Sequence, residues 1–261
     1  MEINMSGKRG GRNGLSMNYQ PIVNIMFEKT VAYEAFVRLF DTVLKSIPPD
    51  LFIPVVEKSD MNVLLEKWIF EETCRMVIKM EKKEIPFEYM AVNTSVKYLK
   101  RKSYIKDLLK IMDETGVSPG KFCLEIPESS LVTGDGDIVE KMYELKREGF
   151  KIAVDEYGAN YLPLSRLDSV PADIIKLERS ISDFILTDKK VEEHVSAIVF
   201  RANGLNIKTV AKAVETEKQK FLLKNLKCGY MQGFLFGKPV TEKYILNKKQ
   251  AITTYEEEVE D

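Results

Sequence analysis

Residues 150–158 read Phe-Lys-Ile-Ala-Val-Asp-Glu-Tyr-Gly, and in them the apolar run Ile152, Ala153, Val154 leads straight into the acids Asp155 and Glu156. A short β-rich run of this kind reads as a buried strand with charge at its exit. The same pattern recurs in both directions along the chain. Upstream, Val31-Ala32-Tyr33 leads to Glu34, Tyr89-Met90-Ala91-Val92 to Asn93, and Phe122-Cys123-Leu124 to Glu125. Downstream, Ile174-Ile175 leads to Lys176, and Thr209-Val210-Ala211 to Lys212 and then Glu215. Between these runs lie longer amphipathic stretches, the pattern of an α/β architecture with a largely parallel sheet. Helices are expected over 60–83, 96–115, 137–148, 180–203 and 216–226. In the first of them Trp68, Ile69, Thr73, Met76, Val77 and Met80 recur at three- and four-residue steps, so the single Trp is expected in the core. Gly116 with Pro119, Gly149 and Gly204 sit where those helices would stop.

The chain has 261 residues, 44% of them hydrophobic, which suits one large core and matches the roughly 250 residues of a (β/α)8 barrel. A TIM-barrel-like single domain is therefore the expected fold. With 39 basic and 40 acidic residues the net charge is −1, so no overall field would hold the protein on DNA, RNA or an anionic membrane. No apolar stretch approaches the roughly 20 residues of a membrane span, the longest candidates being runs such as Leu51 to Val56, and no signal-peptide core opens the chain. Cys74, Cys123 and Cys228 show no disulfide or metal spacing, which fits a reduced, cytoplasmic setting. His194 is the only histidine and is expected on a helix surface, so chemistry here must use carboxylates, amides and lysines.

Residues 1–16 carry Gly7, Gly10, Gly11 and Gly14 among Lys8, Arg9 and Arg12, and read as a flexible basic leader. Residues 250–261 end in Glu256, Glu257, Glu258, Glu260 and Asp261 and read as a solvated acidic tail. The domain is expected over 17–249, with no linker long enough to divide it.

In a barrel the strand exits converge on one mouth, where active sites are built. A lone polar residue also ends a strand simply where the chain meets water. Solvation alone, however, does not favour acids, amides and lysines over Ser, Gly or Thr at every exit. Oxygen ligands of this type suit Mg²⁺ or Mn²⁺. Clustered carboxylates without a cation would repel one another, so a metal or some other positive charge is implied. Lys176 among them would stay protonated and could stabilise charge on a phosphoryl oxygen.

Eight ordered blocks resemble the EAL domain family of bacterial cyclic di-GMP signalling. Tyr-Gln-Pro-Ile-Val at 19–23 followed by Tyr-Glu-Ala-Phe-Val-Arg at 33–38 resembles the family signature, with Phe36 in place of Leu. Ala-Val-Asn-Thr-Ser at 91–95 is similar to its asparagine motif, and Leu-Glu-Ile-Pro-Glu-Ser at 124–129 to its two-glutamate motif. Asp155-Glu156-Tyr157-Gly158 resembles the aspartate-pair motif DDFG, and Ile175-Lys176-Leu177-Glu178-Arg179-Ser180 resembles the lysine motif KID. Val210 to Thr216 aligns with AEGVET, and Gln232 to Pro239 with QGYLFGKP.

The resemblance implies a barrel with one reversed strand and Mg²⁺- or Mn²⁺-dependent hydrolysis of cyclic di-GMP to the linear dinucleotide. It assigns Glu34, Asn93, Glu125, Asp155 and Glu156 to metal, and Lys176, Glu128 and Glu215 to the catalytic set. Arg38 becomes a phosphate contact, Gln232 a glutamine near the metal site, and Glu128 the residue that steadies the loop after the aspartate pair. A homodimer, or a protein partner, is the further assembly it allows.

The departures carry equal weight. Lys212 stands where the family has the first glutamate of AEGVET, Glu156 and Glu178 each lengthen an aspartate by a methylene, and Asn160 stands where the family has a glycine. A charge reversed a few Å from a divalent cation is worth on the order of several kcal/mol at an effective dielectric of about 20. The Lys212 ammonium could instead fill part of a metal's space and pair with Asp155 or Glu125. Three functions follow: a catalytically impaired cyclic di-GMP receptor or regulatory module, a working or slow phosphodiesterase, or a protein-interaction module that no longer binds nucleotide.

Overall fold

The computed structural model describes residues 14–41, 45–47, 49–58, 61–132, 136–159 and 162–247. Its strands are β1 (Gly14–Asn24), β2 (Lys29–Asp41), β3 (Lys45–Ile47), β4 (Tyr89–Asn93), β5 (Phe122–Pro127), β6 (Lys151–Tyr157), β7 (Ile174–Leu177), β8 (Lys208–Ala211), β9 (Tyr230–Met231) and β10 (Val240–Thr241). The helices are α1 (Pro49–Glu57), α2 (Met61–Lys82), α3 (Val96–Leu99), α4 (Tyr104–Thr115), α5 (Ser129–Val132), α6 (Gly136–Arg147), α7 (Arg179–Phe184), α8 (Lys189–Gly204), α9 (Glu217–Asn225) and α10 (Glu242–Asn247).

Strands β2, β4, β5, β6, β7, β8 and β9 follow one another in parallel around the sheet. β1 closes the ring, and it pairs antiparallel with both β2 and β9. The barrel therefore has one reversed strand, as the family resemblance implied. β10 extends β1 on one flank and β3 extends β2 on the other.

Alternation along the strands sorts side chains into two apolar clusters. One fills the barrel: Ile22, Ala32, Tyr89, Ala91, Cys123, Ala153, Ile174 and Val210. The other lies between wall and helices, where Met90, Val92, Leu124, Val154 and Ile175 meet residues such as Phe70, Val77, Leu108, Met142 and Ile198. Fully burying a side chain of this size contributes about 1.5–3 kcal/mol. Four of the interior residues are Ala or Cys, which leaves room inside the wall for the longer polar side chains further along.

Three expected helices are single elements: α2, α6 and α9. The helix expected over 96–115 is two, α3 and α4, because the chain turns at 100–103 so that the Tyr98 and Tyr104 rings meet edge to face, centroids 4.7 Å apart. The helix expected over 180–203 is likewise two. Ile185 turns into the core, and the Asp188 side chain accepts the Lys190 N–H to cap a new helix, α8. α1 takes up the Leu51 to Val56 run, burying Phe52 and Val56.

β1 begins at Gly14, so the strand takes in Gly14, Leu15 and Ser16, which composition assigned to the leader. The β2 ladder continues to Gly14↔Phe40 and supplies backbone pairing that composition does not reveal. Residues 1–13 and the acidic tail 250–261 lie outside the described residues. Trp68 packs against the core, and His194 is exposed on α8. The three cysteines are free and buried, and among the described residues no helix is long and apolar enough to cross a membrane.

Candidate active site at the barrel mouth

Two residues beyond each interior apolar position the same face of the strand turns polar. Ala32 is followed by Glu34, Ala91 by Asn93, Cys123 by Glu125, Ala153 by Asp155, Ile174 by Lys176, Val210 by Lys212 and Tyr230 by Gln232. On the reversed strand the step runs backward, from Ile22 to Gln20. Eight strands thus present one polar layer at the mouth.

Lys176 lies at its centre, 1% exposed, donating to Glu34 Oε2 at 2.6 Å and Glu125 Oε1 at 2.5 Å. Asn93 Nδ2 donates to the other Glu34 oxygen at 3.0 Å, and Gln232 Nε2 donates to Glu34 Oε2 at 2.8 Å and Gln20 Oε1 at 3.1 Å. Burial pushes the Glu34 carboxyl up, but the Lys176 charge and hydrogen bond, the Gln232 amide and the Lys212 charge outweigh it, lowering the pKa from 4.5 to about 2. Glu125 moves the other way. Burial first, then the charge of Glu34 and that of Asp155, hold it well above the ordinary carboxylate range against the pull of Lys176. For Lys176, burial opposes the charge, yet Glu125, Glu34 and Asp155 keep it firmly protonated.

Beside this set, Lys212 Nζ stands 2.7 Å from Asp155 Oδ1, both side chains largely buried. The Lys212 backbone is fixed as well: Ser182 Oγ donates to its carbonyl, and Gln219 Nε2 donates to the Ser182 carbonyl at 2.8 Å. The next residue, Ala213, has φ 55°, a left-handed conformation that suits glycine. Val214 beyond it crosses Gly233 so closely that a Cβ on that glycine would lie 2.1 Å from the Val214 carbonyl oxygen. Neither constraint is visible from the Glu-to-Lys change alone. The glycine of the family block at position 213 was the signal available in the sequence.

Of the remaining expected site residues, Glu128 is fully buried and accepts the Leu162 N–H at 3.0 Å, tying the segment after β6 to the end of β5. Arg38 lies two alternations beyond Glu34 on the same face, its Nη1 donating to the Val37 carbonyl at 3.0 Å and its guanidinium 5.4 Å from the Phe36 ring centroid. Glu156 does not join the cluster. It sits in a bulge of β6 with φ 56°, its side chain exposed. Glu178 caps α7, accepting the Ser180 N–H at 2.7 Å, and Glu215 is exposed at the start of α9 with its N–H donating to Gln219 Oε1. Asn160 lies outside the described residues.

A mouth of carboxylates, amides and lysines on a barrel with one antiparallel strand is the arrangement that the EAL resemblance implied. The EAL domain model matches residues 8–239, and the chain belongs to that family. Among curated relatives, the bifunctional diguanylate cyclase/cyclic di-GMP phosphodiesterase MucR of Pseudomonas aeruginosa is 29% identical over 236 residues, covering 90% of this chain and 34% of MucR. The oxygen sensor protein DosP of Escherichia coli is 28% identical over 233 residues, covering 89% of this chain and 29% of DosP. The chain thus spans about a third of the length of these relatives. The structure of the PaMucR phosphodiesterase in complex with c-di-GMP superposes with a TM-score of 0.83 at 28% identity, covering 88% of this chain and 94% of that one. The EAL domain of Mycobacterium smegmatis DcpA gives a TM-score of 0.76 at 25% identity, covering 89% and 96%.

Phosphodiesterases of this family depend on divalent cations. The donor set here fits that requirement poorly. Among the described residues no group of three or more His, Cys, Asp or Glu side chains stands at metal-holding spacing. The carboxylates of Glu34, Glu125 and Asp155 are instead engaged by the ammoniums of Lys176 and Lys212. Two deeply buried acceptors at the mouth, Glu125 Oε2 and Gln232 Oε1, have no hydrogen-bond partner among the described residues.

Proposed function

We propose that this chain is an EAL domain with an impaired hydrolytic site, acting in cyclic di-GMP signalling as a receptor or regulatory module in the cytoplasm. The observation that carries this reading is the ion pair between Lys212 Nζ and Asp155 Oδ1 at 2.7 Å. An ammonium held there neutralises a carboxylate that would otherwise ligate Mg²⁺ or Mn²⁺, and it repels any cation placed alongside. Arg38, on the same face as Glu34, is the phosphate contact in this reading, and Gln232 borders the ligand near the centre of the mouth. Glu128 holds the segment at Leu162 in place.

A second reading, a working or slow phosphodiesterase, is favoured by the intact grouping of Glu34, Asn93, Glu125 and Lys176 and by the unpartnered acceptors Glu125 Oε2 and Gln232 Oε1. Titration calorimetry with cyclic di-GMP, run beside a turnover assay in Mn²⁺, separates the two. Binding without turnover supports the impaired receptor, turnover supports the enzyme, and absence of binding leaves a protein-interaction module.

A further inference from the structure

Lys212 does more than remove an acid. Its ammonium has three N–H donors and Asp155 Oδ1 engages one of them. The side chain is 20% exposed, within reach of a ligand, whereas Lys176 is sealed at 1% with both neighbouring glutamates on it. Its backbone is also held. The Ser182 hydroxyl bonds its carbonyl, and the turn through Ala213 and Val214 is wedged against Gly233. With its backbone held and its ammonium paired to Asp155, Lys212 is a cation built into the mouth.

The charge of the inner set follows. Glu34, Glu125 and Asp155 face Lys176 and Lys212, three carboxyl groups against two ammoniums; with an acid at 212 the same set would hold four carboxyl groups and one ammonium. A phosphodiester anion could approach the second arrangement only behind added divalent cations. It can approach the first through Lys212 directly.

Building on the receptor reading above, we propose that Lys212 is the anchoring cation of a metal-independent phosphodiester site, contacting a non-bridging phosphate oxygen in the place of a divalent ion. The mouth therefore binds a cyclic dinucleotide in the presence of a chelator, and added metal does not tighten it.

The test is titration calorimetry of the whole chain with cyclic di-GMP, first in EDTA and then in Mn²⁺. Wild-type protein is expected to bind in EDTA, with an affinity that Mn²⁺ changes by less than about threefold. Lys212→Ala should lose more than about tenfold in EDTA, the loss of a charge-assisted contact, while Lys212→Arg keeps most of the affinity. Lys212→Glu should bind only when Mn²⁺ is present. Thermal melts of each variant report whether it is folded, and the Arg variant keeps the test open if Ala or Glu fails to fold. Wild-type binding that requires Mn²⁺, or Lys212→Ala and Lys212→Arg both binding as wild type in EDTA, overturns the proposal. Hydrolysis is read separately: production of linear dinucleotide would count against the receptor reading, while the binding series alone decides the anchoring role of Lys212.

Discussion

Lys212 and Asp155 end the inward faces of β8 and β6, and their side chains meet at 2.7 Å across the intervening β7, whose own inward residue is Lys176. The mouth is thus partly neutralised by its own lysines. If the positive charge at 212 is what keeps Mn²⁺ out, Lys212→Glu should raise Mn²⁺ affinity more than about tenfold and bring some hydrolysis back. Full activity is not expected, because Glu156 is turned outward and Glu178 is committed to capping α7. Lys212→Ala separates blocking from a missing ligand: metal binding without turnover means both mattered. Metal titration that stays flat in both variants removes the charge explanation.

Arg38 shares a face of β2 with Glu34, and in the receptor reading its guanidinium is the phosphate contact. Arg38→Ala should cost about 1.5–3 kcal/mol of cyclic di-GMP binding, more than about tenfold in Kd. Unchanged affinity by calorimetry would move the ligand away from this face.

Gly233 and Ala213, on the two segments that meet after β9 and β8, predict opposite outcomes. Gly233→Ala puts a Cβ 2.1 Å from the Val214 carbonyl oxygen and should cost about 3 kcal/mol or more of stability. Ala213→Gly, at φ 55°, removes a strain of about 1 kcal/mol and should leave stability equal or slightly raised after the added chain entropy. Urea midpoints decide the pair; equal losses at both sites would contradict the geometry.

Lys176 carries a pH signature. Glu34 has its folded pKa lowered from 4.5 to about 2, so the stability it draws from Lys176 is present above 4.5 and is lost as pH falls towards 2. Lys176→Met should cost about 3–5 kcal/mol at neutral pH by stranding buried carboxylate charge. The deficit should shrink as pH falls through that window. Glu125, held above its usual range, is the carboxylate that takes up a proton first and softens the penalty. A deficit that is constant with pH would show that packing, not charge, explains the loss.

The strand exits were legible because an inward-facing polar residue two steps past an apolar one leaves its mark in a single strand. Glu34, Asn93, Glu125, Asp155, Lys176 and Lys212 could all be found in this way, and the ordered motif blocks added Arg38, Glu128 and Gln232. What the sequence hid depends on neighbours remote in the chain. The breaks between α3 and α4 and between α7 and α8 follow from the burial of Tyr98 and Ile185, and helical periodicity runs across both. The early start of β1 needs its partner β2. Glu156 carries the right charge at the right alignment position, yet a bulge with φ 56° turns it outward, which no spacing rule reports. Glu215 likewise aligns with a functional acid but stands exposed at the entrance to α9.

The most direct test of the impaired site is turnover by the wild-type chain. Purified protein is incubated with cyclic di-GMP and Mn²⁺, and linear dinucleotide is followed by chromatography, with Glu34→Ala prepared in parallel to expose contaminating phosphodiesterase. The ion pair of Lys212 with Asp155 predicts product no higher than in the Glu34→Ala control. Robust linear dinucleotide production that Glu34→Ala abolishes would contradict it.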